Sequence, residues 1–171
     1  METSVKLYSL SYTESRTYLW ATVFIACNLV LPHVFHLIPQ GGLIFAPLSF
    51  VILAGSYKFG WKVGLLAALL SPLENHLLTG MPLWNVLPVM TLKLALLALV
   101  AGLAAQHFKA VTLPVLAGVV LASSALGCLG ELILTGGIAS TITDYTIGWP
   151  GLLLQVFGTW LVLKLLGRQS L

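Results

Sequence analysis

The chain has 171 residues, of which 58% are hydrophobic and 8% are charged. Soluble domains carry a charge at about 25% of their positions, so this composition excludes an ordinary soluble enzyme, a disordered chain and a secreted disulfide scaffold. Together with the mean hydropathy of +1.00, it is typical of an integral membrane protein.

The length limits the number of membrane spans. One helical span takes about 20 residues, so 171 residues with short loops hold about six or seven spans and leave no room for a soluble catalytic domain. We therefore predict an all-α integral membrane protein, with a single transmembrane domain of six helices over residues 1–171.

Proline, glycine and polar residues separate the predicted helices. In chain order, the helices cover residues 18–38, 43–57, 61–79, 84–106, 112–135 and 149–167. A break rich in Pro and Gly at residues 38–42 separates the first two helices, and Gly80 followed by Pro82 ends the third. A polar loop that contains Asp144 precedes the sixth helix, which begins near Trp149 and Pro150.

The basic residues predict the orientation. They lie before the first helix, between the second and third, between the fourth and fifth, and at the end of the sixth: Lys6, Arg16, Lys58, Lys62, Lys109, Lys164 and Arg168. The positive-inside rule then places both termini in the cytoplasm. We expect a multi-pass protein of the cell membrane. The remaining basic residue, Lys93, lies inside the fourth predicted helix.

Three ionisable residues fall inside predicted spans: Glu74, Lys93 and Glu131. A charge at the centre of a span costs about 2.5–3.5 kcal/mol on insertion scales, and such residues usually face the bundle interior or line a polar pathway. All three fall in the predicted outer half of the bundle or at its floor. The candidate substrate-binding residues are these three with nearby polar and aromatic side chains: Glu74, Asn75, His76, Trp84, Lys93, Glu131 and Trp149.

Each of these assignments has a structural alternative. Lys93 with Glu74 or with Glu131 can form an internal ion pair that serves only to hold the bundle together. Trp84 and Trp149 can belong to the aromatic belt that membrane proteins place at the lipid interface. The sequence contains no catalytic signature and no metal-binding spacing, so we expect no enzyme activity, no metal, no cofactor and no nucleic-acid partner.

The stretch from Val23 to Leu103 carries an ordered set of short motifs. These are Leu31-Pro32-His33-Val34-Phe35-His36, Phe45-Ala46-Pro47-Leu48, Leu53-Ala54-Gly55, Phe59-Gly60-Trp61-Lys62-Val63-Gly64, Leu70-Ser71-Pro72, Leu77-Leu78-Thr79-Gly80-Met81-Pro82 and Leu87-Pro88. In this order they resemble the substrate-binding S components of energy-coupling-factor (ECF) vitamin transporters. The resemblance covers about half of the chain, and the last two helices add only their hydropathy.

The resemblance implies a six-helix S component whose pocket opens outward. It also implies that the protein binds a small water-soluble vitamin or related micronutrient and docks a transmembrane coupling subunit, which works with two cytoplasmic ATPases. Docking in this family uses two small residues four positions apart on the first helix, and Thr22 and Ala26 match them. Without the resemblance, such a pair indicates close helix packing within the chain.

Two departures from the family pattern bear on the substrate. The segment 47–51 lacks the histidine and the second proline that related sequences have, and Lys93 stands where an acidic residue is common. A change of sign inside a pocket alters the preferred ligand, so no substrate is carried over. Two other functions remain open: a scaffolding bundle in a cell-envelope complex, and an autonomous proton-coupled carrier that uses Glu74 and His76.

Overall fold

A computed structural model of the chain describes residues 6–35, 37, 39–137 and 139–167. His36, Ile38 and Arg168, which enter the sequence argument, lie outside these ranges. The described residues are helical and contain no strand, which confirms the all-α class. The helices are α1 (Ser15–Phe35), α2 (Gly41–Phe45), α3 (Pro47–Phe59), α4 (Trp61–Thr79), α5 (Leu87–Phe108), α6 (Leu113–Thr135), α7 (Ala139–Leu153), a π-helical turn (Leu154–Gly158) and α8 (Thr159–Gly167).

Four helical segments of the described chain are long and apolar enough to cross a membrane. They are Ser15–Phe35, Leu87–Phe108, Leu113–Thr135 and Tyr145–Leu166. The helix α3 has 13 residues, fewer than the roughly 20 that a span needs. The helix α4 has 19 residues, but Lys62 and the run Glu74-Asn75-His76 lower its mean hydropathy. The structure therefore supports a membrane bundle with four candidate spans among the described residues.

The second predicted helix differs from the observed one because it is interrupted at Ala46. This residue adopts a left-handed conformation with φ 43° and ψ 57°, and it separates α2 from α3. The right-handed helical conformation is disfavoured for a residue that precedes proline, and Pro47 then begins α3 with a preset φ. The proline in the predicted helix therefore starts a new helix instead of continuing the old one.

The last predicted helix begins earlier than expected. The residues expected to form a polar loop are part of α7, and Pro150 lies inside that helix. Within a helix, a hydroxyl side chain can donate a hydrogen bond to the backbone carbonyl one turn earlier, so a polar residue does not have to leave the helix. Thr146 does so, because its Oγ1 donates to the Ile142 carbonyl at 2.9 Å.

Helix α3 lies at the centre of the bundle. It packs against α1, α4, α5 and α8, and Ile52, Leu53 and Tyr57 are fully buried in the main core. The Tyr57 hydroxyl donates to the Ala110 carbonyl at 2.6 Å, which ties α3 to the turn between α5 and α6. Because other helices enclose α3, it has little contact with the surroundings of the bundle despite its apolar sequence.

Small residues bring α3, α4 and α5 close together. A Cβ atom added at Gly102 of α5 would lie 2.3 Å from the Trp61 backbone nitrogen, and one added at Gly64 would lie 1.7 Å from the Ser56 hydroxyl oxygen. Glycine is therefore required at these two crossings. The contact between Gly102 and Trp61 also fixes how α4 and α5 align. The two helices are antiparallel, and Trp61, the first residue of α4, lies opposite Gly102 of α5.

The N-terminal segment packs against the end of the bundle where most basic residues lie. The Tyr8 and Leu10 amides donate to the carbonyls of Lys58 and Phe59 at 2.8 and 3.2 Å. The Gln106 amide donates to the Ser9 hydroxyl at 3.0 Å. We call this the basic end, since the start of α1, the α3–α4 turn and the α5–α6 turn meet there. The α4–α5 loop and the α6–α7 connection lie at the opposite end.

Gly102→Ala should lower the free energy of unfolding by about 1–3 kcal/mol, because the new methyl group has to displace the Trp61 backbone. The matched control is Gly118→Ala on α6, where no atom lies within 4 Å of the added Cβ. That change should leave stability unchanged or raise it slightly. Unfolding of the purified variants in detergent, followed by circular dichroism, measures both. Equal stability of the two variants would contradict the close α4–α5 packing.

Candidate functional site

A cavity of about 320 Å³ opens among α5, α6, α7, the π-helical turn and the start of α3. Its walls are mostly apolar and include Leu48, Met90, Leu94, Leu97 and Leu152. Small-molecule sites in proteins are concave and mostly apolar, with a few polar groups that fix the ligand's orientation. The cavity meets this description, and its volume is at the lower end of the usual range of about 300–1,000 Å³.

Lys93 of α5 and Glu131 of α6 form an ion pair in the cavity wall. Their Nζ and Oε2 atoms are 2.7 Å apart, and the side chains are 28% and 3% exposed, respectively. Glycines make the pairing possible, because a Cβ at Gly127 would lie 3.1 Å from Lys93 Cγ and one at Gly130 would lie 2.7 Å from Leu92 Cδ2. The acid is therefore enclosed by protein, whereas the base is in part accessible from the cavity.

Uncharged polar residues also line the cavity: Ser49, Ser123, Ser124, Tyr145 and Gln155. The Cys128 thiol lies 3.5 Å from the Tyr145 hydroxyl. These residues are absent from the sequence predictions, which started from ionisable groups inside spans. The sequence does contain a signal for these polar lining residues, because Ser123-Ser124 and Gln155 interrupt long apolar runs.

Asn75 does not line the cavity but joins α4 to α1. Its Nδ2 donates to the Asn28 carbonyl at 3.1 Å and to the Ser71 carbonyl at 2.8 Å. The Asn28 amide in turn donates to the Ser71 hydroxyl at 3.0 Å. Polar pairs of this kind hold helices together in an apolar environment, so the observed contacts of Asn75 are those of a helix-packing residue.

Four other predicted site residues also lie outside the cavity lining. His76 is hydrogen-bonded through Nδ1 to the Pro82 carbonyl at 2.8 Å, and its ring lies 4.8 Å from the ring of Trp84. Trp84 and Trp149 are 66% and 59% exposed, as residues of an interfacial belt are. Glu74 is half-buried, and its Oε2 has no hydrogen-bond partner among the described residues.

The two predicted docking residues lie on the surface of α1. Thr22 and Ala26 are both exposed, and the Thr22 hydroxyl donates to the Tyr18 carbonyl at 2.9 Å. Because that bond satisfies the hydroxyl within the helix, the pair presents a smooth surface of small groups. No neighbouring helix of the described chain covers it.

The described residues contain no group of three or more His, Cys, Asp or Glu side chains able to hold a metal ion. Cys27 and Cys128 are both half-buried, and neither forms a disulfide. The chemistry of the cavity therefore rests on one ion pair, several hydroxyls and one amide.

No protein-family model matches the sequence, and neither a curated protein nor a solved structure matches it. The cavity and the residues that line it are therefore the features from which a function can be inferred.

Removing one member of the ion pair should destabilise the protein more than removing both. Lys93→Met leaves the Glu131 carboxylate enclosed without the ammonium group, at a cost of about 3–5 kcal/mol. The double variant Lys93→Met with Glu131→Gln should recover most of that loss, because no charge then remains in the wall. Unfolding free energies of the two single variants and the double variant form a double-mutant cycle. Additive losses would show that the two side chains do not interact.

Proposed function

We propose that the protein is a membrane-embedded binding protein that captures a small polar molecule in the cavity between α5, α6 and α7. The observation that carries this proposal is the partly accessible Lys93 ammonium, held by the enclosed Glu131 carboxylate in the wall of an apolar cavity. An ion pair that served packing alone would not need an adjoining space of this size. Ionisable residues at such positions commonly belong to substrate pathways.

The more specific form of the proposal is the S component of an ECF-type importer. In that role the protein would bind a vitamin-like micronutrient from the outer face of the cell membrane. A transmembrane coupling subunit and two cytoplasmic ATPases would drive its release on the inner side. Six spans and cytoplasmic termini are part of this proposal. Its support is the ordered motif set between residues 23 and 103, the basic end of the bundle, and the exposed Thr22–Ala26 surface.

A bound compound should co-purify with the full-length protein. Mass spectrometry of small molecules released from the denatured protein should detect a compound that is at least about tenfold less abundant in Lys93→Met, since one charge-assisted contact contributes about 1.5–3 kcal/mol. The matched control is Lys62→Met, at the basic end, where Lys62 lies over the Tyr12 and Trp61 rings. That variant should retain the compound. If no compound is enriched over Lys93→Met, the binding function is wrong.

Docking of the coupling subunit is tested separately from ligand binding. Ala26→Leu should abolish co-purification of a co-expressed ECF coupling subunit, because the larger side chain prevents close approach of the two helices. It should leave the bound compound in place. The control is Ala125→Leu, which makes the same change at another exposed position, on α6. Equal recovery of the coupling subunit with both variants would contradict docking through α1.

A scaffolding bundle is the second candidate, because the Lys93–Glu131 pair by itself has the geometry of a structural contact. In that case the wild-type protein would release no compound, whereas Lys93→Met destabilises the protein under either function. For the carrier hypothesis the structure offers less support, since neither Glu74 nor His76 lines the cavity. Uptake by vesicles that lack any ATPase would nevertheless favour it over the importer.

A further inference from the structure

Gln155 presents an unused amide to the cavity. Its residue is 6% exposed, and it lines the cavity wall in the π-helical turn. Its side chain makes no hydrogen bond to any residue that the structure describes. A glutamine amide carries two N–H donors and one carbonyl acceptor, and buried polar groups nearly always have partners. A ligand in the cavity would supply them.

The local helix geometry marks the same position. Leu154–Gly158 forms a π-helical turn, an arrangement that is rare and frequently occurs at functional sites. The turn separates α7 from α8, and Gly158 lies close enough to Phe50 of α3 that a Cβ would approach that ring to 2.9 Å. The helix therefore departs from regular α geometry at a residue that lines the cavity.

Gln155 lies farther along the chain than the lining residues of α7. The lining residues Tyr145, Gly148, Leu152 and Gln155 follow one helical face at spacings of 3, 4 and 3 residues. Ten residues of helix correspond to about 15 Å along the axis. Because α7 runs from the α6–α7 connection toward the basic end, Gln155 lies nearer the basic end, and Glu131, in the last turns of α6, lies nearer the opposite end. Leu94, Leu97 and Leu152 also line the cavity.

The wall of the cavity contains a charged pair. Of the lining residues that the structure describes, Lys93 and Glu131 are ionisable at neutral pH, and their Nζ and Oε2 atoms are 2.7 Å apart. A ligand can accept a hydrogen bond from the partly accessible Lys93 ammonium.

The volume limits the size of the ligand. A cavity of about 320 Å³ corresponds to about ten water molecules at roughly 30 Å³ each. One ring or two fused rings fill such a space, and the leucine-rich walls suit the flat faces of a ring.

We infer that the cavity selects a small ring compound with a hydrogen-bond donor and acceptor side by side on one edge, and that Gln155 recognises this edge. A lactam or an amino-substituted aza-aromatic ring has such an edge, and a planar amide pairs with it through two hydrogen bonds. The inference rests on the proposed binding function and specifies its ligand class. It assigns to Gln155 the role of the specificity-determining residue.

Three probes of the same ring size test the inference. They are 2-quinolinone, which has the donor–acceptor edge, 1-methyl-2-quinolinone, in which a methyl group replaces the donor hydrogen, and quinoline-2-carboxylate, which has acceptors only. Binding to the full-length protein in nanodiscs is measured by equilibrium dialysis, with empty nanodiscs subtracted. The wild-type protein should bind 2-quinolinone at least about tenfold more tightly than either of the others, since both of these lack the donor and leave the Gln155 carbonyl without a partner.

Substitution of Gln155 separates the effect of its hydrogen bonds from the effect of its side-chain shape. Gln155→Met has nearly the same shape and should weaken 2-quinolinone binding by about tenfold. It should weaken binding of the methylated probe less, because that probe keeps only the acceptor oxygen of the edge. Gln155→Leu provides a second apolar variant. The matched control is Gln106→Met on α5, an exposed glutamine that contacts Ser9 at the basic end, and it should bind 2-quinolinone like the wild type.

Failure of this inference differs from failure of the proposed function. If the three probes bind alike, or if Gln155→Met binds 2-quinolinone like the wild type, the ligand class is wrong while a binding cavity remains. Preferred binding of the carboxylate also overturns the inference. If no probe binds and yet a compound co-purifies with the wild type, the inference fails and the binding function stands. If neither occurs, both fail.

Discussion

The enclosed carboxylate of Glu131 is the constraint on which the interior of the bundle depends. A charge in this position requires an opposite charge at contact distance, and Lys93 provides it at 2.7 Å. The two residues are on neighbouring helices, so α5 and α6 must pack closely at that level, and Gly127 and Gly130 allow them to do so. The same pair places two charged groups in the cavity wall.

Close packing on the other side of α5 sets the position of the remaining helices. Gly102 fixes the α4–α5 alignment, and Gly64 brings α4 against α3. Helix α3 then occupies the centre, where its short apolar sequence is covered by its neighbours. The start of α3, at Pro47, Leu48 and Ser49, forms part of the cavity wall beside α5 and α7.

The polar groups of the bundle divide into two sets with different consequences. Asn28, Ser71 and Asn75 bond with one another and connect α1 to α4, so their hydrogen-bonding capacity serves packing. The cavity set includes the ion pair and the unused amide of Gln155. In an apolar environment, groups of the first kind stabilise the bundle. Under the proposed function, groups of the second kind orient the bound molecule, because the charged and amide regions lie at different depths.

The sequence by itself determined the helical class, the membrane character and the importance of Lys93 and Glu131, because apolar runs and the cost of an unpaired charge depend on composition alone. It also determined the third predicted helix, 61–79, which coincides with α4. Only the tertiary structure decided that Glu131 rather than Glu74 is paired with Lys93 at 2.7 Å, and that Asn75 serves packing. It also decided that Gln155 lines the cavity. Which residues of separate helices meet depends on helix rotation and close approach, and these are set by contacts such as Gly102 against Trp61 that no single helix encodes.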